Sequence, residues 1–353
     1  MKILLFIKRL DYGGAENHVF ELVNELVAQG QDVVLLAKKG RKVNQLSKVI
    51  DMVPRVRFSG LLLIQIIQLV WLIRTKKIEL IHAHQRKPIL TASIAGYLMN
   101  IPVVVTIHGR PRYDLRSWFS RRLPSLFIFV SYTVLTTSRY FYQIRDRSIM
   151  IPNGISVSDK KLDFIPFSMA YVSRIDASHA HAVSLILDVI PDLLKKYADL
   201  QFFVYGDGPY LSSIRKKAAK INRDYSRELI KICGFIHDLQ TAEEFPELVL
   251  GVGRVAIEAG MKSCSVISVN KKRMGEIIKP ENYLRYKMDN FVNTSGLPPD
   301  AVSLFNAIDD FFAKREVYNK QSSDLTRQFA RDFSIDTVVK AHIAAYRKLC
   351  ISE

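Results

Sequence analysis

The stretch Gly251-Val252-Gly253-Arg254-Val255-Ala256-Ile257-Glu258-Ala259-Gly260 places a glycine turn, a guanidinium and a carboxylate close together in the chain. The apolar run Leu248 to Leu250 precedes it and Ser265 to Val269 follows, so it reads as strand, glycine turn, helix, strand. A turn of this kind aims backbone N–H groups at the start of a helix toward an anion, most often a phosphate. Glu258 falls about a turn into that helix, within reach of a neutral polar group such as a sugar hydroxyl. An anion site and a hydroxyl acceptor on one element point to a nucleotide-sugar binder. The competing reading of Glu258 is an intrahelical ion pair with Arg254 at i, i+4, in the less favourable orientation. A second glycine turn, Gly13-Gly14, stands where a first strand would end, the edge at which α/β proteins bind ligands. Arg174 ends another apolar run and brings a fixed positive charge to the corresponding edge. His108, just before Gly109, is either a satisfied buried histidine or a group on the ligand. His82 and His84 share one strand face, with Ala83 on the other. A metal pair there is geometrically open, but no third ligand stands nearby, and a buried polar pair is the expected reading.

Positioning these groups requires repeated strand–helix units. Lys2 to Ile7, Asp32 to Ala37, Leu80 to Ala83, Val103 to Ile107, Val134 to Thr136 and Ile149 to Ile151 read as strands. Their apolar character is that of parallel strands covered on both faces by helices. Ala15 to Gln29 has helical periodicity, with Gly30 as its C-cap. Pro152-Asn153-Gly154 is a turn, and the chain to about Ser168 reads as irregular interdomain linker. A second series follows: Ala170 to Ser173, a helix from about Val183 to Tyr197, Gln201 to Tyr205, a helix after Pro209, Ile230 to Cys233, and the glycine motif. Gly206-Asp207-Gly208-Pro209 reads as a turn shaping a binding floor, and Glu276 is a further candidate for the nucleotide side. The expected organisation is two doubly wound α/β domains, 1–160 and 168–334, with a final amphipathic helix over Thr337 to Leu349 in a terminal segment 335–353.

The formal charge of +17 is lopsided: residues 1–155 hold 23 Lys and Arg against 9 Asp and Glu. The first domain is therefore expected to face something acidic. No zinc-finger spacing or RNA-recognition aromatic signature is present, so nucleic acid is not expected, and anionic membrane lipid or an anionic lipid-linked acceptor is favoured. Within this domain Arg110, Arg112, Arg116, Arg121 and Arg122 interleave with Tyr113, Leu115, Trp118 and Phe119. They form either a solvated helix face with ordinary core anchors or an acceptor- and membrane-binding element, and the charge asymmetry favours the second. The longest apolar run, Leu61 to Ile73, contains Gln65 and Gln68 and falls short of the ~18 residues that span a bilayer, so a helix buried in the core is expected. Met1 to Leu10 is too short and too charged for a signal peptide. Cys233, Cys264 and Cys350 are widely spaced and odd in number, which speaks against a disulfide framework and for a reducing cytosol.

In order and spacing, several of these motifs together resemble glycosyltransferase family four, retaining enzymes of the GT-B fold. They are Gly13-Gly14-Ala15-Glu16, His82-Ala83-His84, Thr106-Ile107-His108-Gly109, Ser138-Arg139, Pro152-Asn153-Gly154, Val172-Ser173-Arg174, Gly206-Asp207-Gly208-Pro209, Gly234-Phe235 and Gly251 to Ala259. The resemblance implies two Rossmann-like domains facing a cleft, with the C-terminal helix crossing back to the first. It implies a catalytic set of His108, Arg174 and His179, with Gly13, Gly14, Gly251, Val252, Gly253, Arg254 and Glu258 on the donor. Glu258 would bind the ribose. The family's preceding glutamate falls on Leu250, which cannot contact sugar hydroxyls, and its clamp lysine falls on His179, a weaker and pH-dependent cation. No metal is expected, since no paired aspartates of the metal-dependent type stand out and Arg174 can serve as the cation.

The expected activity is retaining transfer of a sugar from a nucleotide diphosphate donor, UDP first and GDP second, to a surface glycan or lipid-linked acceptor. The expected place is the cytoplasm, at the inner face of the membrane. The rivals are a non-catalytic GT-B module that binds glycan or a partner, for which Leu250 and His179 speak, and a synthase using a sugar phosphate.

Overall fold

In the computed structural model, residues 1–11, 13–38, 40, 45–46, 50–53, 61–109, 111–156, 163–236, 239, 245–293 and 295–351 are described. The chain divides into two units, Met1–Ser156 with Asp332–Glu353, and Val157–Arg331.

The first unit is built on β1 (Lys2–Arg9), β2 (Asp32–Lys38), β3 (Asp51–Val53), β4 (Leu80–His84), β5 (Val103–Ile107), β6 (Leu126–Phe129) and β7 (Ser148–Met150). They form a seven-stranded parallel sheet in the order β3-β2-β1-β4-β5-β6-β7. Its helices are α1 (Gly14–Ala28), α2 (Leu62–Lys76), α3 (Arg86–Met99), α4 (Pro111–Asp114), α5 (Trp118–Arg122), α6 (Tyr132–Thr136) and α7 (Phe141–Ile144). Because side chains alternate along a strand, β1 feeds two cores. Leu4 and Phe6 join Ile66, Leu69 and Leu72 of α2 and Ile89, Ala92 and Ala95 of α3 on one face. Ile3, Leu5 and Ile7 join Val19, Leu22 and Leu26 of α1 on the other.

The second unit holds β8 (Phe164–Val172), α8 (Ala177–Leu194), β9 (Gln201–Tyr205), α9 (Leu211–Asp224), β10 (Ile230–Gly234), β11 (Phe245–Gly251), α10 (Arg254–Gly260), β12 (Ser265–Val269), β13 (Met274–Ile277), α11 (Tyr283–Met288), α12 (Ala301–Ala313) and α13 (Arg315–Phe333). Its sheet runs β10-β9-β8-β11-β12-β13, parallel except for β13. Asp176 caps α8 by accepting from the N–H groups of Ser178 and His179, and Asp300 and Ser303 form a capping box on α12. Each cap satisfies donors that the first helical turn leaves unpaired. The last helix, α14 (Ile335–Ile351), returns to the first unit. There Val338, Val339, Ile343 and Tyr346 pack into the α1 side of the sheet.

Three sequence expectations are corrected. Val134 to Thr136 is not a strand but part of α6, which Ser131 starts by accepting from the Val134 N–H; the strand at this point is β6. The chain before Ser168 is not irregular throughout, since β8 already begins at Phe164 and pairs with β11. Phe167 has φ 52, which breaks the period-two alternation and hides the strand from a pattern reading. The run Leu61 to Ile73 forms α2 as a helix, but only one of its faces is buried. Leu63, Ile67 and Trp71 point outward and are 66%, 59% and 66% exposed.

Candidate donor site

The order of the second sheet reverses between β8 and β11, and α/β sheets bind ligands outside the carboxyl ends of strands at such a switch point. Arg174 follows β8 and the turn Gly251-Val252-Gly253 begins at the last residue of β11, so the fold brings these two predicted elements to neighbouring strand ends. Arg174 is open to solvent, with its side chain 79% exposed and 3.1 Å from Asp176. An exposed pair of this kind is worth under about 1 kcal/mol and yields readily to a ligand anion. The glycine turn is tight. Gly253 has φ 61, a left-handed conformation that favours glycine. Its N–H donates to the Phe291 carbonyl at 3.1 Å, so this amide serves the turn itself.

Glu258 is 4% exposed. Arg254 Nε donates to Glu258 Oε1 at 2.6 Å, and the Leu239 N–H donates to Glu258 Oε2 at 3.3 Å. The i, i+4 ion pair weighed as the competing reading is present. It ties Arg254, the residue after the turn, to the same element.

The two positions that depart from the family pattern have structural explanations. Leu250 lies on β11, fully buried in the core that α8 and α12 form with the sheet. Its side chain points into apolar packing, where a carboxylate would be costly. The Tyr171 hydroxyl lies 2.8 Å from His179 Nδ1. Burial lowers the His179 pKa; Asp176 pulls it up and Arg174 pushes it down. With its pKa lowered, His179 is neutral at physiological pH, so Arg174 brings the fixed charge at this edge.

The first sheet reverses its order between β1 and β4. Gly13 and Gly14 follow β1 and start α1. A β-carbon at Gly13 would collide with the Glu16 carboxylate, which folds back over the helix start. Gln85 follows β4 with φ 67 and donates from Nε2 to Glu16 Oε1 at 2.7 Å. The sequence offered Glu16 only as the end of a motif and did not single out Gln85; the signal for both is their placement after β1 and β4.

His108, at the end of β5, belongs to a group of five histidines. His84 Nδ1 is 3.1 Å from His108 Nε2, and the two rings stack. His82 lies 2.6 Å from the Tyr346 hydroxyl and 2.7 Å from Thr106 Oγ1. His18 of α1 and His342 of α14 complete the cluster through ring contacts. Burial, then the charges of neighbouring histidines, holds His82 and His84 well below the usual range. Burial also brings His108 to about 4, against the upward pull of Asn153, and His342 to about 4. Among the described residues, no three His, Cys, Asp or Glu are arranged to hold a metal ion.

Of the predicted acceptor or membrane residues, Arg110 lies outside the described residues. Arg112, Arg116, Trp118 and Arg122 are exposed. Arg121 is used internally. It donates to the carbonyls of Leu115 and Arg116 and to Gln143, and its guanidinium lies over the Tyr140 ring. Glu276 on β13 pairs with Arg285 at 2.6 Å.

Two Rossmann-like units, the second with an arginine and a glycine turn at its switch point, make up the GT-B fold. The sequence profile of Glycosyltransferase Family 4 matches residues 12–159 of the chain. The chain is similar to one chain of the human phosphatidylinositol N-acetylglucosaminyltransferase, 24% identical over 224 residues that cover 56% of this chain and 46% of that protein. The chain thus spans about half the length of the curated relative it matches. Among solved structures, a glycosyltransferase from Rickettsia africae superposes with a TM-score of 0.77 at 16% identity, covering 100% of this chain and 99% of that one. Anabaena Alr3699/HepE in complex with UDP gives 0.73 at 17% identity over 99% and 100% of the two chains. The same Anabaena protein is also known with UDP-glucose.

Proposed function

We propose that this glycosyltransferase moves a sugar from a UDP-sugar donor to a lipid-linked or surface-glycan acceptor, with retention of anomeric configuration. The second unit binds the donor and the first unit takes the acceptor, at the inner face of a membrane. The observation that carries the reading is that Arg174 and the Gly251–Gly253 turn stand at neighbouring strand ends beside the switch point of the second sheet, with Glu258 on the helix that the turn starts. Breaking the bond between an anomeric carbon and a nucleoside diphosphate places negative charge on the leaving phosphate, and fixed cations and N–H donors stabilise that charge. Arg174 supplies the cation, and the turn supplies amides. Glu258 accepts from the ribose, exchanging a present contact for the hydroxyl when donor binds. The leaving phosphate takes the acceptor proton on the same face, so no close carboxylate pair of the retaining-glycosidase kind is needed. The UDP-bound relatives support uridine as the base, and the phosphatidylinositol-directed relative supports a lipid acceptor. Arg174 does the work of a cation without a metal, and turnover that vanished with chelator and returned with Mg²⁺ would overturn that part.

The test is a thermal shift with UDP, GDP, ADP and CMP on the wild type and on Arg174→Ala. A nucleotide at 100 times its Kd adds about 2.7 kcal/mol, a shift of a few degrees. A shift with UDP alone that shrinks in the variant supports the donor site. No shift with any nucleotide would move the reading to a non-catalytic GT-B module, which the burial of Leu250 favours.

A further inference from the structure

The helix α2 has two apolar faces. Ile66, Leu69, Leu72 and Ile73 face the sheet, as a helix in a layered α/β unit requires. The opposite face should carry charge. It carries Leu63, Ile67 and Trp71 at helical spacing instead, preceded by Leu61 at 76% exposure. Tyr97 and Leu98, at the end of the neighbouring α3, are exposed as well. No acidic residue occurs from Leu61 to Ile78, and the helix ends in Arg74, Lys76 and Lys77. Lys76 pairs with Asp51, whereas Arg74 is exposed. The same layer of helices, α2 to α5, also exposes Lys87, Arg112, Arg116 and Arg122.

We propose that the outer ridge of α2 seats in an anionic lipid bilayer, with the surrounding cations on the headgroups. An apolar ridge with a tryptophan, bounded by Lys and Arg, is the pattern of a helix that lies in the membrane interface. The occupant follows from charge. The 23 Lys and Arg against 9 Asp and Glu of residues 1–155 attract an anionic surface and repel a second copy of the same face. No helix among the described residues is long and apolar enough to cross a membrane, so the ridge lies along the surface. This assignment rests on the membrane-associated reading and moves the docking element from the segment 110–122 to α2.

Trp71 and Trp118 are the two tryptophans of the chain, one on each candidate element. Trp118→Phe leaves Trp71 as the reporter, and Trp71→Phe leaves Trp118. Each protein is mixed with phosphatidylcholine vesicles, with and without phosphatidylglycerol, and UDP affinity is measured in parallel. The Trp71 emission is expected to shift to the blue and gain protection from a soluble quencher on the anionic vesicles. Leu63→Gln with Ile67→Gln is expected to lower vesicle cosedimentation at least about tenfold while UDP affinity is retained. A shift of Trp118 without one of Trp71 overturns the α2 assignment and leaves the membrane reading standing. No cosedimentation at all overturns both, and the UDP measurement shows separately whether the donor reading survives. A Trp71 shift that depends on protein concentration without vesicles overturns the proposal in favour of self-association.

Discussion

Lowering the pH from about 7.5 to 5 should destabilise the first unit, because the folded unit holds several histidines neutral. His108 and His342 have folded pKa values of about 4 against 6.5 in the unfolded chain. The unfolded state therefore binds more protons than the folded state below about pH 6.5. Stability contributed by the neutral rings is complete above that pH and is lost as pH falls toward 4. At pH 5 each of these two groups costs about 2 kcal/mol, together about 4. Burial and the neighbouring histidines depress His82 and His84 as well, so both add to the loss. Asp114 acts oppositely. Burial raises its pKa to about 6, and its protonation by pH 5 returns about 1.4 kcal/mol. The net loss of more than about 2.5 kcal/mol is a large share of the 5–15 kcal/mol typical of a domain. Both tryptophans lie in the first unit, so their fluorescence during urea unfolding reports on that unit alone. The urea midpoint should fall markedly between pH 7.5 and 5, and His342→Gln should shrink the fall by about 2 kcal/mol. A midpoint independent of pH over this range would refute the account of the cluster as an obligately neutral core.

Arg174→Ala should lower turnover about 100- to 1,000-fold through loss of charge on the leaving phosphate. Its thermal midpoint should stay within a degree or two of wild type, since the Asp176 pair is exposed. Glu258→Ala removes the buried carboxylate that pairs with Arg254 and should cost about 3 kcal/mol in addition to nucleotide affinity. Glu258→Gln keeps an acceptor for the Leu239 N–H and should cost less, so calorimetric unfolding of the two variants separates support of the turn from nucleotide contact. Restoring the family glutamate with Leu250→Glu should not raise activity. The carboxylate would enter an apolar core, and loss of several kcal/mol in denaturant unfolding is expected. A stable Leu250→Glu protein with raised turnover would show that β11 can turn this side chain toward the ligand.

Much of the fold was legible because its signals are local. Runs such as Leu80 to Ala83 and Val103 to Ile107 are too apolar to be anything but strands buried on both faces, and their alternation with amphipathic segments implies parallel sheets. Where a second preference competed locally, the reading slipped. The Ser131 cap drew Val134 into a helix, and the left-handed Phe167 masked the start of β8. Arg174 and the glycine turn were recognisable because ends of parallel strands bear ligands whatever the sequence between them.

What the sequence by itself determined is therefore the class of fold, the charge asymmetry and the chain positions of the glycine turns and strand ends, since periodicity and turn chemistry act over a few neighbours. Tertiary structure alone decided where side chains meet. It turned Leu250 into a core and tied Glu258 to both Arg254 and Leu239. It also made His179 a neutral partner of Tyr171 and gathered histidines from α1, β4, β5 and α14 into one buried group. A hydrophobic run reads the same whether one face or two are covered. Only the neighbours that pack against α2 reveal that its outer ridge remains exposed.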